Sequence, residues 1–267
     1  MPPMLIVAPA APEDYAACAR LFADLEVPDP VWDEDRFIHM VAPDTVVLRE
    51  GDAVRGYAWA RPRGDALHVV HVVVDRSHRG RGAGRLLMAT LAARARALGF
   101  SRWLLNVKPE NLAARALYER CGMAVAFASA SLQLDWSNVP RLEARAGARG
   151  RELSSEDDSA FERAFGLSKS EIAPLRETQG RILLGVEDES GPAAFGAFEP
   201  RFPGIAPMRV RAPAYARALL ETARPYALEG QTYVRMFAEG DPTLEGALTQ
   251  AGAEVILRAL RMEGDVP

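Results

Sequence analysis

The sequence predicts a mixed α/β fold, an α+β arrangement on a mixed sheet, built twice in tandem. Three observations carry this reading. Between residues 69 and 123 the order is strand, glycine turn, helix, strand, helix, and an ungapped overlay relates the two halves at a spacing of 130 positions. The third is a length of 267 residues with 49% hydrophobic and 25% charged side chains, enough to bury a sizeable core in about two domains.

Taken in order, residues 5–8 read as a short strand, 13–25 as a helix and 37–40 as part of another. Residues 46–49 and 54–60 form a hairpin around Glu50, Gly51 and Asp52, a strong turn signal. The apolar run 69–74 is a strand. A glycine-rich turn follows, and then a helix over 85–98 with Leu87, Leu91 and Leu98 on one face, stopped by Gly99. Residues 103–107 read as a strand, and Asn111 is the N-cap of a second helix through Ala114, Leu117 and Tyr118 to Gly122.

The turn Arg79, Gly80, Arg81, Gly82, Ala83, Gly84 offers unencumbered backbone N–H groups at a helix N-terminus. Glycines let the backbone approach an anion, while orphan N–H groups and the helix dipole supply attraction. A phosphate or pyrophosphate is the expected guest. A Walker loop is excluded because no lysine lies near, and the dinucleotide fingerprint lacks its acidic residue about 20 positions on.

With these residues in place the chain resembles the GNAT superfamily of acyl-CoA-dependent N-acyltransferases. The resemblance rests on the strand ending at Val74, the Arg-Gly-x-Gly-x-Gly turn, and the pattern Asn-x-x-Ala-x-x-x-Tyr-x-x-x-Gly-Met from Asn111 to Met123. It implies that Arg79, Gly80, Arg81, Gly82, Ala83 and Gly84 hold the pyrophosphate of acetyl-CoA, with Arg85 at the phosphate or adenosine end. It further implies that the backbone of Val72, Val73 and Val74 pairs with pantetheine, that Asn111 and Ala114 bound the arm from the other side, and that Tyr118 protonates the departing sulfur. The acetyl group would then pass directly to an amine, a small molecule or a peptide, in a ternary complex. A hydroxyl acid in that role is worth on the order of 10²–10⁴ in rate.

The amine must also lose a proton. His71 is the favoured base and His68 its substitute; strict alternation puts them on opposite strand faces, and a bulge would change that phase. Satisfied strand histidines are the other reading of both. His78, in the loop, is expected to be exposed. Asp24, Glu26, Asp29, Asp33, Glu34 and Asp35 crowd the segment around Trp32, either to draw in a cationic amine or as a solvated loop.

A net charge of −4 and a pI near 5.7 give no drive toward nucleic acid. No apolar run approaches the roughly 20 residues of a membrane span, and prolines at 9 and 12 with Glu13 and Asp14 interrupt any signal-peptide pattern, so a cytoplasmic monomer or homodimer is expected. The two cysteines, Cys18 and Cys121, make neither a disulfide framework nor a metal-ligand pattern, and no metal is expected.

In the overlay Trp103 falls on Tyr233, Val107 on Phe237, Gly122 on Gly252 and Leu132 on Met262, while Leu219, Leu220 and Ala223 form the buried helix face. The second copy lacks the chemistry. Its counterpart of the turn is Arg209-Val-Arg-Ala-Pro-Ala214, with Cβ atoms restored and an N–H removed at Pro213; Tyr118 becomes Leu248 and Asn111 becomes Asp241. A catalytic domain over 1–138 and a degenerate one over 139–267 are expected, with the first strand of the second near residues 141–145. The competing reading is a non-catalytic acyl-CoA-binding or scaffold protein.

Overall fold

A computed structural model describes residues 5–27, 30–167, 171–178 and 180–267. The first half of the chain runs β1 (Leu5–Pro9), α1 (Tyr15–Phe22), α2 (Glu34–Arg36, continued by a π turn Phe37–Val41), β2 (Thr45–Glu50), β3 (Ala53–Arg63), β4 (Ala66–Val74), α3 (Ala83–Ala97), β5 (Arg102–Val107), α4 (Leu112–Glu119) and β6 (Ala124–Asp135). The second half runs β7 (Arg149–Glu152), α5 (Asp158–Ala164), α6 (Ala173–Glu177), β8 (Ile182–Asp188), β9 (Gly191–Glu199), β10 (Gly204–Val210), α7 (Ala216–Ala223), β11 (Tyr233–Glu239), α8 (Pro242–Gln250) and β12 (Glu254–Asp265).

These elements form two compact units, Met1–Ala126 with Ala259–Pro267, and Phe127–Arg258. The division differs from the expected halves 1–138 and 139–267. In the first unit β5 takes β12 as its antiparallel neighbour, from Leu260↔Val107 to Asp265↔Arg102. In the second unit β11 takes β6, from Tyr233↔Asp135 to Glu239↔Ser129. The equivalence of Leu132 and Met262 holds, but β11 is offset by one residue, so Val234 and Ala238, rather than Tyr233 and Phe237, take the core positions of Trp103 and Val107, and each closing strand completes the unit that its own repeat does not begin. A repeat phase marks which residues correspond and says nothing of which edge they pair with.

In the first unit the order is β1-β2-β3-β4-β5-β12. Neighbours from β1 to β4 are antiparallel, while β4 and β5 are parallel, as a crossover through α3 requires. Side chains alternate across this sheet. Val46, Leu48, Ala58, Ala60, Leu67 and Val69 pack with Leu87, Met88 and Leu91 of α3 and with Tyr118 of α4. On the other face Val47, Tyr57, Trp59 and Val73 meet Cys18, Leu21 and Phe22 of α1 together with Trp32 and Phe37. Leu98 leaves the expected helix face: it is the C-cap, 53% exposed, and Ala95 fills the core position instead.

The second unit repeats this plan in the order β6-β11-β10-β9-β8-β7. Leu219, Leu220 and Ala223 of α7 are fully buried against Leu184, Val186, Val234 and Met236. Its counterpart of β1 is β7, at Arg149–Glu152, because residues 141–145 hold the end of a 3-10 segment and the irregular chain that follows it.

Gly264 in β12 shows how closely the closing strand of the first unit fits. A Cβ there would lie 2.3 Å from the Gly122 carbonyl oxygen and 3.1 Å from Met123 Cα, both backbone atoms that cannot rotate away. We expect Gly264→Ala to lower the unfolding free energy of the first unit by about 1–3 kcal/mol. Gly246→Ala in α8, where nothing lies within 4 Å of the added atom, should instead stabilise the second unit by up to about 1 kcal/mol. Urea unfolding of both variants checks the pair.

Candidate functional site

The site of the first unit begins where two strands part. Parallel pairing of β4 with β5 runs from Ala66↔Arg102 to Val69↔Leu105 and stops. At the same place the register of β4 against β3 shifts: Ala60 faces Val69 and Trp59 faces His71, so Val70 is an extra residue, a bulge. Beyond it Val72, Val73 and Val74 remain paired with Ala58, Tyr57 and Gly56 on one side and have no β5 partner on the other. A strand edge with open hydrogen-bonding positions lies next to the turn.

Gly80 and Gly82 adopt φ of +75° and +87°, the left-handed region, and Gly82 is the N-cap of the 15-residue α3. Side chains other than glycine rarely take that backbone. Gly84 has no left-handed backbone, and a Cβ there would lie 2.9 Å from Leu117 Cδ2, the end of an α4 side chain. Ala83 is buried, while Arg81 and Arg85 are exposed, Arg85 lying beside Gly82.

Arg79 differs from its expected role. Its Nε donates to the Val74 carbonyl at 2.8 Å and its terminal nitrogen to Asp24 Oδ2 at 2.9 Å, so it braces the turn rather than standing free for phosphate. Arg76 shares the tie, with Asp24 at 3.3 Å and Glu26 at 3.7 Å. The acidic segment is thus occupied locally. Asp33 caps α2 by accepting from the Arg36 N–H, and Asp35 lies 3.2 Å from His39. Asp29 lies outside the described residues.

Asn111 and Ala114 are brought together by a cap: Asn111 Oδ1 accepts from the Ala114 N–H at 3.1 Å, which gives the Asn-x-x-Ala spacing a structural cause. Asp241 caps α8 in the same way, accepting from Leu244 N–H at 2.9 Å. Tyr118 is 7% exposed in the cluster under α3. Burial, and then the neighbouring Cys121, push its pKa up, so the phenol keeps its proton.

The bulge also decides the histidines. His71 faces Trp59 and His68 faces Arg61, and those two β3 residues point the same way, so the histidines share one face rather than opposing ones. The His71 ring is walled by Phe22 at 5.5 Å, Trp32 at 5.4 Å, Tyr57 at 6.0 Å and Trp59 at 5.3 Å between centroids. Desolvation, and next the charge of Arg61, bring its pKa down to about 3. His68 is lowered well below its usual value by burial and by Arg63, Arg261 and Arg61. His78 is not exposed as expected: its side chain is 12% accessible, with Nε2 at 3.3 Å from Glu50 and Nδ1 at 2.8 Å from Ser77 Oγ. The His78 contact with Glu50 lowers the pKa of that carboxyl.

In the second unit the parting recurs without the turn. Parallel pairing is confined to Gly204↔Arg235 and Ile205↔Met236, and a register shift follows before Met208. Residues 209–214 carry no left-handed backbone; Arg209 pairs with Glu239, Arg211 with Asp188, and a 3-10 turn begins at Pro213.

Residues 13–123 match the family model described as the Acetyltransferase (GNAT) family. That stretch, most of the first unit, carries the sequence pattern of the GNAT acetyltransferase family. A mycothiol acetyltransferase of Corynebacterium glutamicum (strain R) is 32% identical over 84 residues, a match spanning 31% of this chain and 29% of that protein. Over the whole chain the GNAT fold recurs in two solved structures. A GCN5-related N-acetyltransferase from Sphaerobacter thermophilus has TM-score 0.73 and 20% identity over 98% of this chain and 96% of that one. A tandem GNAT protein from the clavulanic acid biosynthesis pathway has TM-score 0.64 and 17% identity over 99% of each.

Sequence reasoning missed the aromatic wall around His71. Alternation of Tyr57 and Trp59 along β3 was the available signal for half of it, and Phe22 and Trp32 come from elements whose approach no local pattern shows.

Because both strand histidines are held neutral while the unfolded chain protonates them near pH 6.5, their contribution is fully present above that pH. It is lost as pH falls toward the folded values. Stability of the first unit should therefore drop between pH 6.5 and 4.5 with a slope of at most about 1.4 kcal/mol per pH unit for each histidine. His71→Asn should flatten that slope by about one proton, measured as urea midpoints across the window.

Proposed function

We propose that the first unit is an N-acetyltransferase that passes the acetyl group of acetyl-CoA to an amine by direct attack. The observation that carries this reading is the conjunction at one place of a left-handed glycine turn, the N-terminus of α3 and the unpaired edge of β4. The residues fit such a co-substrate: the N–H groups of residues 80–84 with Arg81 and Arg85 would hold the diphosphate, and residues 70–74 of β4 would pair with the amide arm. Arg79 and Asn111 act as struts, the first on Val74 and Asp24, the second as the cap of α4.

Acetyl-CoA supplies an activated acyl carbon and a sulfur leaving group. Tyr118, protonated throughout the neutral range, donates its proton to the departing sulfur. Backbone N–H groups on the open edge of β4 stabilise charge developing on the acyl oxygen. The acceptor nitrogen loses its proton to water, because His71 and His68 have too little proton affinity to serve as bases. This departs from the role expected for them.

The second unit contributes no donor site in this reading: residues 209–214 lack the glycines, Pro213 lacks an N–H, and Leu248 stands where Tyr118 would.

Tyr118→Phe should lower kcat by about 10²- to 10⁴-fold with the Kd for acetyl-CoA within twofold of the parent. Gly82→Val, which forces a β-branched residue into the left-handed region, should weaken acetyl-CoA binding by at least tenfold in a calorimetric titration. Unchanged turnover in the first variant removes the acid. Unchanged binding in the second removes the cradle.

A further inference from the structure

Asp75 and the 3-10 turn Arg76–His78 connect the end of β4 to the glycine turn. His78 Nε2 lies 3.3 Å from Glu50 Oε2, His78 Nδ1 lies 2.8 Å from Ser77 Oγ, and Ser77 Oγ lies 2.6 Å from Asp75 Oδ1. These three contacts need three protons. The Ser77 hydroxyl has one and a neutral imidazole has one, so the third sits either on a carboxyl or on the second ring nitrogen. The His78 contact and then Arg55 lower the pKa of Glu50, and the Ser77 hydroxyl and backbone N–H lower that of Asp75, so both carboxyls are ionised and neither supplies it. The proton belongs to the ring. Nδ1–H then donates to Ser77, the Ser77 hydroxyl to Asp75, and Nε2–H to Glu50. A neutral ring would turn one of the three into a pair of facing lone pairs.

The chain of contacts joins separate parts of the first unit. Glu50 ends β2 and also accepts from Arg55 Nε of β3 at 3.1 Å. Asp75 faces Arg20 of α1 at 3.5 Å and caps the turn by accepting from the Ser77 N–H at 3.0 Å. Immediately after His78 come Arg79 and the left-handed Gly80 and Gly82. The turn has other ties, from Arg76 and Arg79 to Asp24 and from Arg76 to Glu26. Those arginine side chains are 70% and 48% exposed, and ion pairs open to water contribute little. His78 and Glu50 are 12% and 22% exposed, so water and salt screen their contact less than the others.

We propose that His78, with a proton on each ring nitrogen, is a positioning residue for the donor: it fastens the glycine turn to β2 and couples acetyl-CoA affinity to pH. The coupling rests on the acetyltransferase reading for its ligand, whereas the protonation of the ring does not. Affinity is full where the ring is charged and is lost as pH rises and removes its second proton. By reciprocity, binding of acetyl-CoA draws a proton onto the ring. His68 and His71 add nothing to this dependence above pH 6, because burial has already made both neutral there.

Long-range ¹H–¹⁵N correlation spectra of the full-length protein at pH 6.0 read the ring directly. Protons on both His78 nitrogens support the proposal; a single protonated nitrogen overturns it, whether or not the protein binds acetyl-CoA. Calorimetric titration with acetyl-CoA at pH 6.0 and 8.5, on either side of the range in which an imidazole gives up its second proton, then tests the coupling. The ratio of Kd at pH 8.5 to Kd at pH 6.0 should be about fivefold or more larger in the parent than in His78→Gln, a comparison in which titration of the acetyl-CoA phosphates cancels. Ser77→Ala, at an exposed position, removes the acceptor of Nδ1–H and lets a neutral ring keep its Glu50 contact, so its ratio should fall toward that of His78→Gln. A merely structural role for either residue would shift Kd at both pH values and leave the ratio where it was. Equal ratios in the parent and His78→Gln overturn the proposal, as does a Ser77→Ala ratio that stays at the parent value. Failure of acetyl-CoA to bind the parent at pH 6.0 would instead defeat the acetyltransferase reading and leave the spectra to decide the state of the ring.

Discussion

The parting of β4 from β5 after Val69 and Leu105 is the constraint from which the rest of the first unit's site follows. A parallel pair normally continues until one strand ends, and here both continue without each other. The extra residue Val70 bends β4 and resets its side-chain phase, which moves His71 onto the face already held by Trp59 and Arg61. The unpaired edge would be a liability on an outer strand. Inside the sheet it becomes a slot, with α3 and its left-handed glycine turn at one end and the aromatic wall along one side. One backbone irregularity thereby sets both the unpaired edge of β4 and the face on which His71 meets the aromatic cluster.

The two units show what is structural in this arrangement and what is chemical. Both keep the short parallel pairing, the register shift beside it, a capped helix with its acceptor three residues before the first donor, and a left-handed glycine where that helix gives way to the closing strand. These features hold a sheet and its helices together, and they persist where no cradle exists. The glycines at 80 and 82, the exposed Arg81 and Arg85, and the phenol of Tyr118 belong to the first unit. Gly84 differs from the other two glycines of the motif, since its backbone is not left-handed and its neighbour is the Leu117 side chain.

Much of this was legible in the residues. The hairpin around Gly51, the helix after the turn, the cap at Asn111 and the buried face of Leu219, Leu220 and Ala223 all follow from short-range rules that depend on neighbours within a few positions. What was not legible depends on distant partners. Whether a bulge falls at Val70 is settled by pairing with β3, and so the common face of His68 and His71 was open to two answers. Arg79 reads as a phosphate ligand until Asp24, 55 positions earlier, is seen to hold it. The position of Leu98 outside the core and the start of β7 at Arg149 rather than near Arg141 have the same origin: a local pattern fixes the type of an element more firmly than its ends.

The exchange of closing strands bears on how the molecule is made. During synthesis β5 emerges long before Ala259–Pro267, so the first unit's sheet stays open along β5 until β12 has been translated. The glycine turn and the open edge of β4, which are translated before β12, cannot rest on a finished sheet until that strand arrives. A messenger truncated anywhere in the second half would yield a product whose exposed β5 edge invites association with other unfinished copies.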